Sequence, residues 1–163
     1  MGHKILIGID NGVTATIGIV GDGITPIMTK IPTKKEQNYT KKKDNITRLD
    51  AKGFAELIGC YDPSEVMVVM ERPMVNPTRF KATTSALRCF EAELILIEHF
   101  GYAYCFVDSK DWQKVMLPKG VSGDDLKKAS LDIGNRLFPY FKDFKHPDRD
   151  GILIAEYARR AKL

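Results

Sequence analysis

Residues 66–70, VMVVM, form an apolar run with no polar alternation, and Glu71 follows it at once. A strand without alternation is covered on both faces, which is the setting of a central parallel strand in an α/β fold. Residues 4–9 and 16–20 are short, rich in isoleucine and bounded by Gly or Asn, and residues 24–31 continue the pattern after the turn at Gly21 to Gly23. Together these three segments predict a meander. A fifth strand is predicted over 102–107. Helices are predicted from Asp50 as N-cap through Ile58, over about 79–99, over 124–137, and from Pro147 to Arg160, with a loop holding Trp112 before the third of them. The expected fold is α/β, with a five-stranded mixed sheet made of a three-strand meander plus two parallel strands and flanked by helices.

Length and charge narrow the function. A chain of 163 residues, 44% apolar and 28% charged, is the size and balance of one soluble globular domain spanning 1–163. The opening apolar run ends at Asp10, too soon for a signal peptide or membrane span, so a cytosolic protein is expected, in a bacterium or phage-infected host, or inside an organelle for a processed chain. Three cysteines, Cys60, Cys89 and Cys105, lie far apart with no CxxC pair, which argues for free buried thiols over disulfides or a zinc site. Net charge is +4, yet residues 30–48 alone carry seven basic residues and two acids, a local excess of +5. That segment also loses apolar periodicity and is read as a mobile basic surface loop at about 32–48.

Asp10 and Glu71 each end an apolar strand, at the sheet edge where open α/β folds bind ligands. An isolated Asp after a strand is more often a turn residue. The last helix alters that balance: Asp150 shares a helical stripe with Ile154 and Tyr157, so it points inward and needs a partner. Asp148, two residues earlier, is about 200° away if helical, but Pro147 at the first helical position would leave it free to turn. Asp10, Glu71, Asp150 and either Asp148 or His146 thus form an oxygen-rich candidate set that selects Mg2+ or Mn2+ over zinc. Two such ions about 4 Å apart activate a water and stabilise the leaving oxygen of a phosphodiester.

Four motifs in order, GIDNG at 8–12, VVMERP at 68–73, LFP at 137–139 and HPDRDGILIAEYARR at 146–160, resemble those of RuvC-type Holliday junction resolvases of the RNase H-like superfamily, with the phage and organellar branch nearest. The resemblance spans nearly the whole chain. It implies an RNase H-like fold, a homodimer and symmetric nicking of four-way DNA junctions with two Mg2+ ions. It also implies that Asp10 bridges the metals, Glu71 helps hold one, and Asp150 is the last acid. One position departs from the pattern: many relatives carry a second acid three or four residues before the last one, where this chain has His146 or Pro147, and the histidine that some resolvases carry there implies a ligand or proton-transfer role for His146. Geometry ranks His146 ahead of Asp148 there, since four residues before Asp150 is one helical turn.

The resemblance makes branched DNA the partner. Lys34, Lys35, Lys41, Lys42 and Lys43 suit a nonspecific grip on phosphates, although a lysine run is as often a solvated loop. Arg72, Arg79, Phe80 and Lys81 combine cations with an aromatic able to stack on an unpaired base, or else Phe80 starts the helix core. Lys127 and Lys128, with Lys110, Trp112 and Lys114 before them, could line a DNA arm, although Trp112 reads better as a core anchor. The apolar turns at 94–97 predict either a dimer face or burial in the monomer. Competing readings are a nuclease for other branched DNA or RNA/DNA hybrids, a junction binder that does not cut, and an actin-like or sugar-kinase ATPase; the last needs a second similar half that the sequence lacks.

Overall fold

The computed structural model describes residues 2–163. Its sheet contains β1 (Ile5–Ile9), β2 (Thr16–Gly21), β3 (Ile27–Lys30), β6 (Val66–Glu71) and β7 (Ala103–Val107) in the order β3-β2-β1-β6-β7. β1 to β3 pair antiparallel as a meander, while β1, β6 and β7 run parallel. β6 lies between two parallel neighbours and is buried along nearly its whole length, as its unbroken apolar run requires.

The period-2 pattern divides the strands between two cores. Ile5, Ile7, Ile9, Ile17, Ile19, Val66, Val68 and Met70 face α1 (Ala51–Ile58) and α2 (Phe80–His99), packing with Phe54, Ile58, Cys89 and Ile97. Leu6, Val20, Met28 and Val69 face α3 (Ser109–Met116), α4 (Asp125–Leu137) and α5 (Asp150–Ala161), with Trp112 and Ile152 to Ala155. α5 packs chiefly on β1 and β2. It does so backbone to backbone, because Gly8 and Gly18 are register partners on that face and Gly151 lies over them. A Cβ on Gly8 would stand 2.3 Å from Ala155 N and 2.4 Å from Gly151 O.

The third strand is shorter than the 24–31 expected, Ile27–Lys30, and three segments differ in kind from what the sequence predicts. The stretch expected as a loop over 32–48 forms a hairpin, β4 (Thr33–Gln37) paired antiparallel with β5 (Asn45–Leu49). Its first strand, TKKEQ, has no apolar residue, so alternation gave no signal; cross-strand pairing such as Arg48 to Glu36 at 2.8 Å supports it instead. Trp112 lies in α3, not in a loop. The final helix starts at Asp150 rather than at Pro147, because Arg149 is non-helical (φ −129°, ψ 27°) and the Asp148 carboxylate accepts the Asp150 N–H at 3.2 Å. Cys60 is exposed, and only Cys89 of the three free thiols is fully buried. No helix among the described residues is long and apolar enough to cross a membrane.

Candidate active site

Asp10 follows the last residue of β1 and Glu71 is the last residue of β6, adjacent parallel strands, so both carboxylates emerge at one end of the sheet. α5 begins on the same end and brings Asp150, with Asp148 just before it. Asp10, Asp148 and Asp150 each offer a carboxylate oxygen, and the three oxygens lie within 4.8 Å of one another. They border a cleft of about 710 Å³ that Glu71, His146, Lys30 and Lys127 also line. Three acids gathered this closely repel one another, and hard oxygen donors in such number suit a divalent cation of the magnesium type.

Neighbouring donors hold each carboxylate. The Asn11 N–H donates to Asp10 Oδ1 at 2.8 Å, and the Asn11 side-chain amide donates to Glu71 Oε1 at 2.7 Å. Trp112 Nε1, on a fully buried indole, donates to Glu71 Oε2 at 2.5 Å. The Ser130 hydroxyl donates to Asp150 Oδ1. Trp112 is therefore the core anchor read from sequence and also an orienting partner of Glu71. The sequence alone singles out neither Asn11 nor Ser130 as a site residue; Asn11 stands next to Asp10 inside GIDNG, whereas nothing local marks Ser130.

His146 is placed differently from the helical-turn geometry that ranked it ahead of Asp148. It precedes α5 in an irregular segment, and its Nε2 lies 2.9 Å from the Thr14 carbonyl oxygen. A carbonyl only accepts, so Nε2 carries the proton and is committed to that bond. The remaining ring nitrogen, Nδ1, lies 3.4 Å from Asp148 Oδ1. Asp148, not His146, stands in the group of three close carboxylates.

Burial, with repulsion from Asp150, Glu71 and Asp148 added, holds the Asp10 carboxyl well above the ordinary carboxylate range. Burial and then Asp148 push Asp150 up to about 7, against the Ser130 hydrogen bond and the Lys127 charge. Glu71 is also raised by burial, with the Trp112 and Asn11 bonds opposing. Away from the cleft, burial lifts Glu93 on α2 to about 8; its Oε2 has no hydrogen-bond partner. Each of these folded-state values exceeds the unfolded one, about 4 for a carboxylate. Their contribution to stability is complete below about pH 4 and is lost as the pH rises through about 7 for Asp150 and about 8 for Glu93. In EDTA, Tm should therefore fall between pH 5 and pH 8. Saturating Mg2+ should recover the part due to the cleft, and Glu93→Gln the rest; a Tm rising with pH across that window in EDTA would contradict the assignment.

The residues expected to touch DNA fall into distinct places. Lys34, Lys35, Lys41, Lys42 and Lys43 are exposed on the hairpin, with Lys34 paired to Glu36 at 2.8 Å and Lys42 to Asp44 at 3.3 Å. Arg79 and Lys81 are exposed around the start of α2, where Phe80 is 73% exposed and so is no part of the helix core, and Arg72 is exposed just after β6. Arg72 pairs with Asp108 at 2.9 Å. Lys127 borders the acidic cleft, while Lys128 points to Asp125 at 3.9 Å. Lys110 and Lys114 line a different depression.

A mixed five-stranded sheet with this strand order, flanked by helices on both faces and carrying its acids at one sheet end, is an RNase H-like fold of the RuvC kind. Among solved structures, the chain is similar to Thermus thermophilus RuvC in complex with Holliday junction substrate, with a TM-score of 0.58 and 13% identity over 98% of this chain and 96% of that one. It is also similar to a second Thermus thermophilus RuvC structure, with a TM-score of 0.56 and 14% identity over 96% of each chain. No protein-family model and no curated protein sequence matches the chain.

Proposed function

We propose that this chain is a single-domain, metal-dependent DNA endonuclease that resolves four-way junctions by paired symmetric nicks. The observation that carries the reading is the convergence of Asp10, Asp148 and Asp150, from a strand end, an irregular segment and a helix start, in one cleft of a RuvC-type fold. Asp10, Asp148 and Asp150 would hold Mg2+, or Mn2+ in its place, with Glu71 at the flank oriented by Asn11 and Trp112. A divalent metal centre held by these carboxylates would supply activation of a water and stabilisation of the leaving oxygen. Lys127 and Lys30 at the cleft rim draw the scissile phosphate toward the acids. The Holliday junction substrate held by the Thermus thermophilus RuvC neighbour supports the same substrate class for this chain.

Asp148 is favoured over His146 as the fourth acidic-site residue, because the imidazole is already engaged with Thr14. Asp148→Asn should slow cleavage by about a hundredfold or more, while His146→Ala stays within about tenfold of wild type. The reverse ranking would return the position to His146.

The hairpin lysines, with Arg72, Arg79, Phe80, Lys81, Lys127 and Lys128, form the proposed DNA contacts. A twofold junction calls for a twofold enzyme. The surface offered is the edge of α2 beside β7: Phe90 packs on Phe106 with ring centroids 5.3 Å apart, the Tyr104 hydroxyl donates to Glu98, and Leu87, Ile95, Tyr104 and Phe106 remain exposed there. Ile97, by contrast, is fully buried within the monomer.

The test is incubation of an end-labelled four-way junction with the protein in Mg2+ and in EDTA. Symmetric nicks on opposed strands in Mg2+ alone are expected. Binding without nicking would leave only a junction-binding protein, and faster cutting of an RNA/DNA hybrid than of the junction would make it a nuclease of another RNase H-like kind.

A further inference from the structure

Arg149 separates Asp148 from Asp150 in sequence and is 1% exposed. A guanidinium flanked by two carboxylates would be expected to pair with them. Instead it turns away from the cleft. Its Nε donates to Asn135 Oδ1 at 3.0 Å, Nη1 to the carbonyls of His146 at 3.0 Å and Asp148 at 2.8 Å, and Nη2 to those of Phe141 at 2.8 Å and Phe144 at 2.9 Å. Every N–H of the group therefore has an acceptor, which is what permits a full charge to stay buried.

The surroundings are shaped to this side chain. Gly134 on α4 lies under its stem, where a Cβ would come within 2.3 Å of Arg149 Cβ. The Phe144 ring stands 5.5 Å from its guanidinium carbon. The Arg149 main-chain N–H donates to Ser130 Oγ at 3.0 Å, and the same hydroxyl donates to Asp150. Between Phe141 and α5 the chain has neither a helix nor a strand to hold it, yet it presents His146 and Asp148 to the cleft. The carbonyls that Arg149 gathers are those of this segment.

We propose that Arg149 is a positioning residue of the acidic cleft: by tying the carbonyls of Phe141, Phe144, His146 and Asp148 to one buried fork, it sets how close the Asp148 carboxylate lies to Asp10 and Asp150, and so how tightly the cleft holds a divalent cation. The inference rests on the reading of those acids as a metal site. Groups that orient metal ligands from behind commonly matter about 10- to 100-fold in metal affinity. Lysine cannot substitute, because a point charge on a flexible stem does not reproduce a planar fork.

The test uses the full chain with Arg149→Lys and, as a milder change remote from the acids, Asn135→Ala, which removes one acceptor. Mn2+ binding without DNA is measured by calorimetry, and junction cleavage is followed across a Mg2+ titration. Arg149→Lys should move the Mn2+ midpoint up by about tenfold or more, with cleavage lost at low Mg2+ and regained at high Mg2+. Junction binding in EDTA should stay near that of wild type. Asn135→Ala should shift the midpoint the same way by about threefold, and it carries the test if Arg149→Lys does not fold. Ile58→Val, in the core on the other face of the sheet, controls for general loss of stability and should leave the midpoint unchanged. Wild-type midpoints in both Arg149→Lys and Asn135→Ala overturn the proposal while leaving the nuclease reading intact; a wild-type protein that binds no Mn2+ and cuts no junction overturns that reading, and this inference with it.

Discussion

Asp10→Asn is expected to reduce junction cleavage by about a thousandfold or more while junction binding persists. Asparagine keeps the shape of aspartate and removes its charge. As a turn residue, Asp10 accepts the Asn11 N–H at 2.8 Å, and an amide oxygen would do that equally well. As a metal ligand it cannot be replaced so, because the carboxylate lies among Asp148, Asp150 and Glu71 and its charge is needed to hold a cation there. Stability should move the other way: with one repelling charge gone, the metal-free variant at pH 8 should melt no lower than wild type. Single-turnover cleavage, gel shift in EDTA and thermal unfolding read the three quantities separately. Retained cleavage would return Asp10 to the turn reading and remove the site.

Gly8→Ala should produce the largest loss of stability. The added methyl would meet Ala155 N at 2.3 Å and Gly151 O at 2.4 Å, both main chain, so no side chain can swing aside and α5 must lift from the sheet. Gly18→Ala does the same from the next strand, where Ile152 Cα lies 2.3 Å from the new atom. A forced displacement of this kind costs about 3 kcal/mol, which for a chain of this size lowers Tm by about 10 °C. Because α5 begins with Asp150, the remaining folded protein should also cut poorly. Gly12→Ala makes a useful contrast: its φ of +99° disfavours a side chain, but nothing lies within 4 Å, so the expected loss is about 1 kcal/mol. A Gly8→Ala melting point equal to that of wild type would mean that α5 does not rest on the strand backbone.

The helices and strands with a strong apolar pattern were legible almost to the residue. VMVVM predicts β6 as a central strand, and α2 differs from its expected start by one residue. Patterning fails where it has little to act on: β4 is entirely polar, and α3, SKDWQKVM, has only Trp112, Val115 and Met116 as apolar residues. The site divided the same way. Asp10 and Glu71 were visible because each ends an apolar strand, and Asp150 because it shares a stripe with Ile154, which is fully buried. Asn11 lies inside GIDNG beside Asp10, yet its bond to Glu71 spans 60 residues and leaves no local mark.

From the sequence alone, then, come the mixed sheet, the end of it at which the acids emerge, and three of the four acidic positions, since periodicity and strand ends are local properties. Only the tertiary structure placed Asp148 rather than His146 beside Asp10 and Asp150. The bonds that decide it, His146 to a carbonyl 132 residues away and Arg149 to the carbonyls of an irregular segment, have no periodicity to read. It also explained Gly8 and Gly18, whose missing side chains matter only once a helix lies across them.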